Sequence, residues 1–417
     1  MQEMKKRSGI MNVLLIGIGG VGEAIAKVAA ERDPESLWLD KMVLANRTEA
    51  RAQKLSEHLG DATRFPAEKC DANNQEDIKR LVEKYQIDLI MNASDITTNK
   101  IIFEAAFAMG CKYIDMGGES HAHPCDPYPK GYQEWIGDYF FARHQQWETS
   151  GNLAIMYLGI DPGVVNVFAK FAEQELFDEL DEIAIKDGSN ITVEGMDYAF
   201  GFSISAIVEE VLNPPVFWES DKGWYTKMPM SEAEVFDFPE GIGPQEIVAV
   251  EHEEPMMMPR FIGKGLKKVS FKIGLGDKVL EAMRVIQALG LDKMDKVRVG
   301  DIEVSPRDVL AATAPRPSSL GEKMQGKMCV GILVTGRKDG KDRKVFIYQT
   351  WDNAEAMQRF SCQAVVSQTA FGAVIGMELL AKGIWQGTGV LTPEAFPHRP
   401  FLELMEAYRF PYKVIEM

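Results

Sequence analysis

Residues 12–22 read Asn-Val-Leu-Leu-Ile-Gly-Ile-Gly-Gly-Val-Gly, and this run constrains the fold more than any other part of the chain. An apolar stretch, Val13 to Ile16, leads into Gly17-x-Gly19-x-x-Gly22. A helical pattern through Ala24, Ile25, Val28 and Ala29 follows. The order is strand, glycine turn, helix. Each glycine answers a separate demand: Gly17 permits the tight turn, Gly19 lets the backbone approach a pyrophosphate, and Gly22 lets helix pack on strand. With Gly20 and Val21 they open the helix, whose free N–H groups and positive dipole end favour an anion. A unit of this kind starts a parallel sheet and implies a dinucleotide site.

The next strand end narrows the cofactor. Met42-Val43-Leu44-Ala45 runs into Asn46-Arg47-Thr48. A site selective for NAD usually carries an Asp or Glu here to hold the ribose 2′-hydroxyl. Asn46 with Arg47 and Thr48 instead offers a guanidinium and a hydroxyl to a 2′-phosphate. NADP is therefore expected, with NAD as the second choice. Asp71, at the end of a third strand in Cys70-Asp71-Ala72, is placed either to accept from an adenine amine or to cap the next helix. Asn92-Ala93-Ser94 ends a fourth strand where a cofactor edge would lie.

Strand patterns at 12–17, 41–46, 63–70, 88–92 and 112–115, with helices between them, predict a Rossmann-type doubly wound α/β parallel sheet. A loop at 118–131 and a helix at about 132–150 follow. A further buried strand, Leu153 to Leu158, runs into Gly159-Ile160-Asp161-Pro162-Gly163. Asp161 before Pro162 reads as an N-cap with proline at the first helical position, starting a helix over 162–176. Beyond it the grammar changes to strands at 181–188, 196–204, 246–251, 267–274, 328–336 and 343–349. Lys338-Asp339-Gly340-Lys341 is a hairpin turn. Trp218 and Trp224 flank a hairpin tip at 219–223. The predicted organisation is a nucleotide-binding domain of residues 1–176 completed by helices over 353–417. An inserted α+β substrate and dimerisation domain, built on a mostly antiparallel sheet, fills 177–352.

Composition excludes several partners. The 417 residues carry a net charge of −16, which disfavours nucleic acid and acidic membrane surfaces. The most apolar long segment, Ala364 to Ala381, contains Ser367, Gln368, Thr369 and Glu378 and reads as a buried helix. Residues 1–10 are polar and basic, unlike a signal peptide. Five cysteines without paired spacing fit reduced thiols in the cytoplasm.

The chain resembles the saccharopine dehydrogenase-like family, which includes saccharopine, carboxynorspermidine and lysine 6-dehydrogenases. The resemblance rests on GIGGVG (17–22), NRT (46–48), YIDMGGE (113–119), IDPGVVN (160–166) and LFDELDEI (176–183). It continues through FDFPEGIG (236–243), VEHEE (250–254), PSSLGEKMQGK (317–327), GRKDGKDR (336–343) and SCQAV (361–365). It implies NADP(H)-linked hydride transfer at a secondary amine or imine carbon, usually in a homodimer. It also implies cofactor contacts at Gly17, Gly19, Gly22, Asn46, Arg47, Thr48 and Asp71, and at Asp161, Pro162 and Gly163 beside the nicotinamide.

Substrate and proton-transfer residues are read individually. Arg260, Arg316 and Arg399 are candidate carboxylate clamps. Phe202 and Ser203 are candidate substrate walls. His252, inside the acidic run Glu251 to Glu254, and Asp115 and Glu119, at the fifth strand's end, are candidate proton carriers. His121-x-His123 with Cys125 and Asp126 looks like a metal set, but no second cluster completes it, and no metal is expected. Three activities compete: an opine-forming or opine-cleaving dehydrogenase, a carboxylated-polyamine or lysine dehydrogenase whose acidic run receives ammonium ends, and a non-catalytic NADP(H) sensor.

Overall fold

The computed structural model describes residues 9–118, 135–196, 204–314 and 320–417. They form two compact units. The first takes in residues 9–118, 137–170 and 367–410, and the second 135–136, 171–366 and 411–417.

The first unit is built on a seven-stranded sheet, parallel throughout. Its order is Gly389–Leu391, Leu153–Ile155, Lys112–Ile114, Leu89–Asn92, Met11–Ile16, Leu39–Asn46, Ala67–Lys69. The chain starts in the middle, winds outward through Leu39–Asn46 and Ala67–Lys69, then returns to Leu89–Asn92 on the other side of the first strand. Strand order therefore reverses between Met11–Ile16 and Leu89–Asn92, where Ile16 lies opposite Asn92. In open α/β sheets this switch point opens the ligand crevice at the carboxyl ends of the strands. Strands buried on both faces explain the continuous apolar runs. Val13, Leu14, Leu15, Met42, Val43 and Leu44 are all inaccessible to solvent.

The helix Ala364–Ala381 is long and apolar enough by composition to cross a membrane, yet 89% of it is buried inside the protein. Its Gly372 lies against the 159–163 loop so closely that a Cβ there would come within 2.0 Å of the Gly159 carbonyl oxygen. Glu378 on the same helix is buried against Arg32 Nε at 3.0 Å, Lys382 Nζ at 2.5 Å and the Tyr408 hydroxyl at 2.7 Å. Burial opposes ionisation of this carboxyl, but the three donors together hold it below the usual glutamate value.

The second unit is a nine-stranded sheet. One path runs Gly223–Thr226, Val216–Glu219, Lys268–Ile273, Glu179–Ser189, Lys327–Lys338, Lys341–Asp352, Tyr412–Glu416. Gly243–Ala249 also pairs with Lys268–Ile273 and carries Ser231–Phe238. All its pairings are antiparallel except Lys268–Ile273 with Glu179–Ser189. The expected hairpin closes at Lys338↔Lys341, with Asp339 and Gly340 both at positive φ. Trp218 pairs with Trp224 across the other expected hairpin.

Several local expectations move. The helix expected from 162 begins at Val164, and the Asp161–Pro162 peptide is cis. The Asn166 side chain, not Asp161, accepts from the Gly163 N–H at 2.9 Å. The segment from 353 divides into the helices Asn353–Phe360 and Ala364–Ala381, separated by Ser361 at positive φ. Residues 135–136, 171–176, 353–366 and 411–417, assigned by sequence to the nucleotide-binding domain, belong to the second unit, where Tyr412–Glu416 pairs with Lys341–Asp352. Of the strand expected at 196–204, residues 197–203 lie outside the described residues, and a helix, Ile204–Leu212, starts at its end.

Candidate functional site

The glycine turn has the stereochemistry its spacing predicts. Gly17 has φ of +96°, and a Cβ on it would lie 2.5 Å from the Ala93 carbonyl oxygen. A Cβ on Gly22 would lie 1.9 Å from the Gly17 carbonyl oxygen, so only glycine lets the Gly20–Arg32 helix start this close to its strand. Gly19 is exposed, and a Cβ there would meet nothing within 4 Å. It is also the helix N-cap without any side-chain cap, so no capping side chain occupies the first-turn donors of Gly20, Val21 and Gly22. That is a cradle for a diphosphate.

Around it, the switch-point strands are locked. Asn46 Oδ1 accepts from the Ile18 N–H at 3.1 Å, and its Nδ2 donates to the Thr48 carbonyl at 3.0 Å, tying the glycine turn to the second strand end. Arg47 and Thr48 are exposed, and no carboxylate stands in this turn. Asn92 is committed to scaffolding. Its amide donates to Asn99 Oδ1 and the Tyr113 hydroxyl, while its oxygen accepts from Ser94. The backbone of Ala93 therefore forms the wall opposite Gly17. Asp71 does not cap the following helix, because Asn74 does, accepting from the Glu76 N–H. Asp71 Oδ1 instead accepts from the Asn73 N–H in a local turn, with Ala72 half-buried beside it.

Asp115 belongs to the scaffold. It is 1% exposed, and its two oxygens accept from the Tyr157 N–H at 2.7 Å and the Tyr113 hydroxyl at 3.0 Å. A carboxylate so occupied joins two strand ends.

In the second unit, the acidic run folds into a charged cluster. His252 Nδ1 lies 2.5 Å from Glu254 Oε2 and 3.2 Å from Glu253 Oε2, and its Nε2 lies 4.0 Å from Glu210 Oε1. The ring stacks flat on Phe271, with centroids 3.7 Å apart. Glu251 is buried and accepts from Asn213 Nδ2 at 2.8 Å. Burial alone would depress the imidazole pKa. The charges of Glu254, Glu253 and Glu210 overcome that and raise it well above the usual histidine value. That direction favours the imidazolium form of His252 over a base poised near neutrality. Burial, partly offset by His252, pushes Glu210 up to about 8 and Asp187 up to about 7.

Asp187 and Glu210 come from a strand and a helix far from the run in sequence, and nothing in their own neighbourhoods marked them. Register is the missing signal. Phe271 pairs with Ile185, and in a strand the residue two further on shares its face, so Asp187 stands on the side where His252 stacks. His252, Glu253 and Glu254 offer ligand atoms within 4.8 Å of one another, a set that the expectation of no metal had not considered.

Arg260 ends the short helix Glu254–Phe261. Its Nε donates to the Met256 carbonyl, and its guanidinium lies 5.0 Å from the Trp224 ring centroid. Those contacts engage it within its own unit. Glu119, Phe202, Ser203 and Arg316 lie outside the described residues, as do His121, His123, Cys125 and Asp126.

Comparison with known proteins agrees with this architecture. Residues 13–155 match the saccharopine dehydrogenase NADP binding domain, and residues 159–410 match the saccharopine dehydrogenase C-terminal domain. Carboxynorspermidine synthase of Vibrio alginolyticus is 31% identical, with 98% of this chain and 97% of that protein covered. Carboxyaminopropylagmatine dehydrogenase of Synechocystis is 26% identical, with 96% of each covered. Apo saccharopine dehydrogenase (L-Glu forming) from Saccharomyces cerevisiae shares the fold at a TM-score of 0.68 and 14% identity, over 98% of this chain and 100% of that one. The open Gly19, the uncapped helix start and the Asn46-Arg47-Thr48 turn fit NADP, as the matched domain requires. The chain belongs to the saccharopine dehydrogenase family and is an NADP-dependent oxidoreductase.

Proposed function

We propose that this enzyme reductively joins an amino-acid-derived aldehyde to a primary amine of a polyamine, giving a carboxylated polyamine. One observation carries the reading: the second unit gathers the carboxyl groups of Asp187, Glu210, Glu253 and Glu254 around the single imidazole of His252. A buried set of carboxyl groups that a neighbouring cation favours ionising suits a polycationic amine better than the several carboxylates of an opine. The two curated relatives above both bear names of carboxylated polyamine chemistry, in support.

The reaction balances simply. The amine nitrogen adds to the aldehyde carbon, water leaves, and a C=N bond forms. NADPH, when bound, would supply the hydride that goes to that carbon, and the imine nitrogen takes up two protons in all, one as it becomes the iminium and one after reduction, to end as a secondary ammonium. On the protein's side, the uncapped helix start at Gly20–Gly22 and the Asn46-Arg47-Thr48 turn hold the nucleotide. The acidic cluster orients the amine and keeps its charges solvated by carboxylates. As an imidazolium, His252 offsets part of the cluster's repulsion. A homodimer is part of this reading, and mass measurement by light scattering checks it.

NADPH oxidation with matched pairs tests the proposal. Aspartate semialdehyde with a diamine is expected to turn over well, and aminoadipate semialdehyde with glutamate poorly. The reverse ranking would return the chain to opine chemistry, and no turnover with any pair would favour a cofactor sensor.

A further inference from the structure

The acidic cluster has more acceptors than partners. Glu254 gives Oε2 to His252, but its Oε1 has no hydrogen-bond partner among the described residues, on a side chain with no solvent exposure. Asp187 Oδ1 is in the same state, on a residue 7% exposed. Buried acceptors left without a donor are costly, and more so when charged. Both face the same imidazole. Glu254 bonds to its Nδ1, and Asp187 projects from the sheet face on which Phe271 carries the ring.

We propose that Glu254 Oε1 and Asp187 Oδ1 receive the second, non-reacting ammonium group of the diamine or polyamine substrate. This rests on the carboxylated-polyamine reading and adds to it the receptor atoms. A metal ion fits the same place less well. His252 Nδ1 and Glu254 Oε2 are already engaged with each other. An ammonium needs only acceptors, and it brings three donors. Glu210 and Glu253 lie beside the same ring without being required as direct contacts, and Glu251 is taken by Asn213.

The test compares 1,3-diaminopropane and 1,4-diaminobutane with propylamine and butylamine, each with aspartate semialdehyde and NADPH on the full-length enzyme. Truncating one side of a buried charge pair commonly costs a factor of roughly 30 or more. The wild type should therefore prefer each diamine over its matched monoamine by at least roughly that factor in kcat/KM. Glu254→Gln and Asp187→Asn should shrink the preference toward unity, chiefly by raising KM for the diamine. Equal use of diamine and monoamine by the wild type overturns the inference even if neither variant folds. So does a preference that survives in both variants. Failure of the wild type to use any amine with any aldehyde is a different result, and it overturns the functional reading itself.

Discussion

At the scale of single residues, the chemistry turns on how the carboxyl groups of Asp187, Glu210, Glu253 and Glu254 share one imidazole. Asp187 and Glu210 hold their protons up to about 7 and about 8 because they are buried, with His252 only partly compensating. Raised carboxyl values favour the protonated forms in the folded state. The stability they allow is fully present below the ordinary carboxylate range and is lost as pH rises through about 7 and then about 8. A bound cation reverses the preference by favouring the ionised forms, so binding releases protons. The Kd of a diamine should therefore fall as pH rises from 6 to 9, by up to about tenfold per pH unit for each proton displaced. The amine's own deprotonation limits the effect at higher pH. Calorimetric titration of the diamine across that range checks the sign, and Glu210→Gln should remove the upper step. A Kd independent of pH would mean that the cluster is ionised before ligand arrives. The sequence made part of this visible, since Glu251-His252-Glu253-Glu254 is contiguous. Asp187 and Glu210 join only through strand register and helix packing, which leave no mark in the chain. Asp115 shows the opposite limit: its place at a strand end looked chemical, but hydrogen bonds to Tyr157 and Tyr113 make it structural.

Among elements, the legible ones were those whose conformation is decided locally. The strand, glycine turn and helix at 11–32 follow from Gly17 and Gly22, whose close contacts forbid any other residue. The Lys338–Lys341 hairpin follows from Asp339-Gly340, two residues that tolerate positive φ. Elements decided by distant partners were not legible. Gly389–Leu391 is only three residues long, and it is a strand because Leu153–Ile155 lies beside it. Tyr412–Glu416 adds to the edge of the second sheet without any apolar alternation to announce it. Helix Ala364–Ala381 was recognised as buried, but the reason for Gly372 appears only in its contact with the 159–163 loop. That contact gives a sharp expectation. The atom facing Gly372 is backbone, so a methyl group cannot be relieved by rotating a side chain. Gly372→Ala should destabilise the protein by about 1–3 kcal/mol, the usual range for an overpacked core, as measured by denaturant unfolding. Gly340→Ala, at an exposed hairpin turn with φ of +74° and nothing within 4 Å of its added Cβ, serves as the comparison for strain without a clash. Equal losses in the two variants would show that the helix yields at Gly372 and that the close approach is not needed.

For the whole molecule, net charge and substrate charge pull in the same direction. The chain carries −16, and a polyamine carries one positive charge per nitrogen near neutral pH. A field of one sign over the surface raises the local concentration of an oppositely charged ligand and speeds its encounter. It acts across water, so salt screens it: the Debye length is about 8 Å at physiological ionic strength and about 3 Å at 1 M. NADPH is itself an anion and gains nothing from this field. It depends instead on donors at short range, the Gly20–Gly22 amides and the exposed Arg47. The two substrates should therefore respond differently to salt. Between low and high NaCl, kcat/KM for the diamine should drop steeply, and more for a triamine than for a diamine because each added charge steepens the dependence. The drop for a monoamine should be shallow. Saturating-NADPH kinetics over about 0.02–0.5 M NaCl, spanning Debye lengths from well above to below 10 Å, measures these slopes. Parallel slopes for mono-, di- and triamine would mean that the molecule's acidity serves solubility alone, leaving the buried cluster to select the substrate without help from the surface.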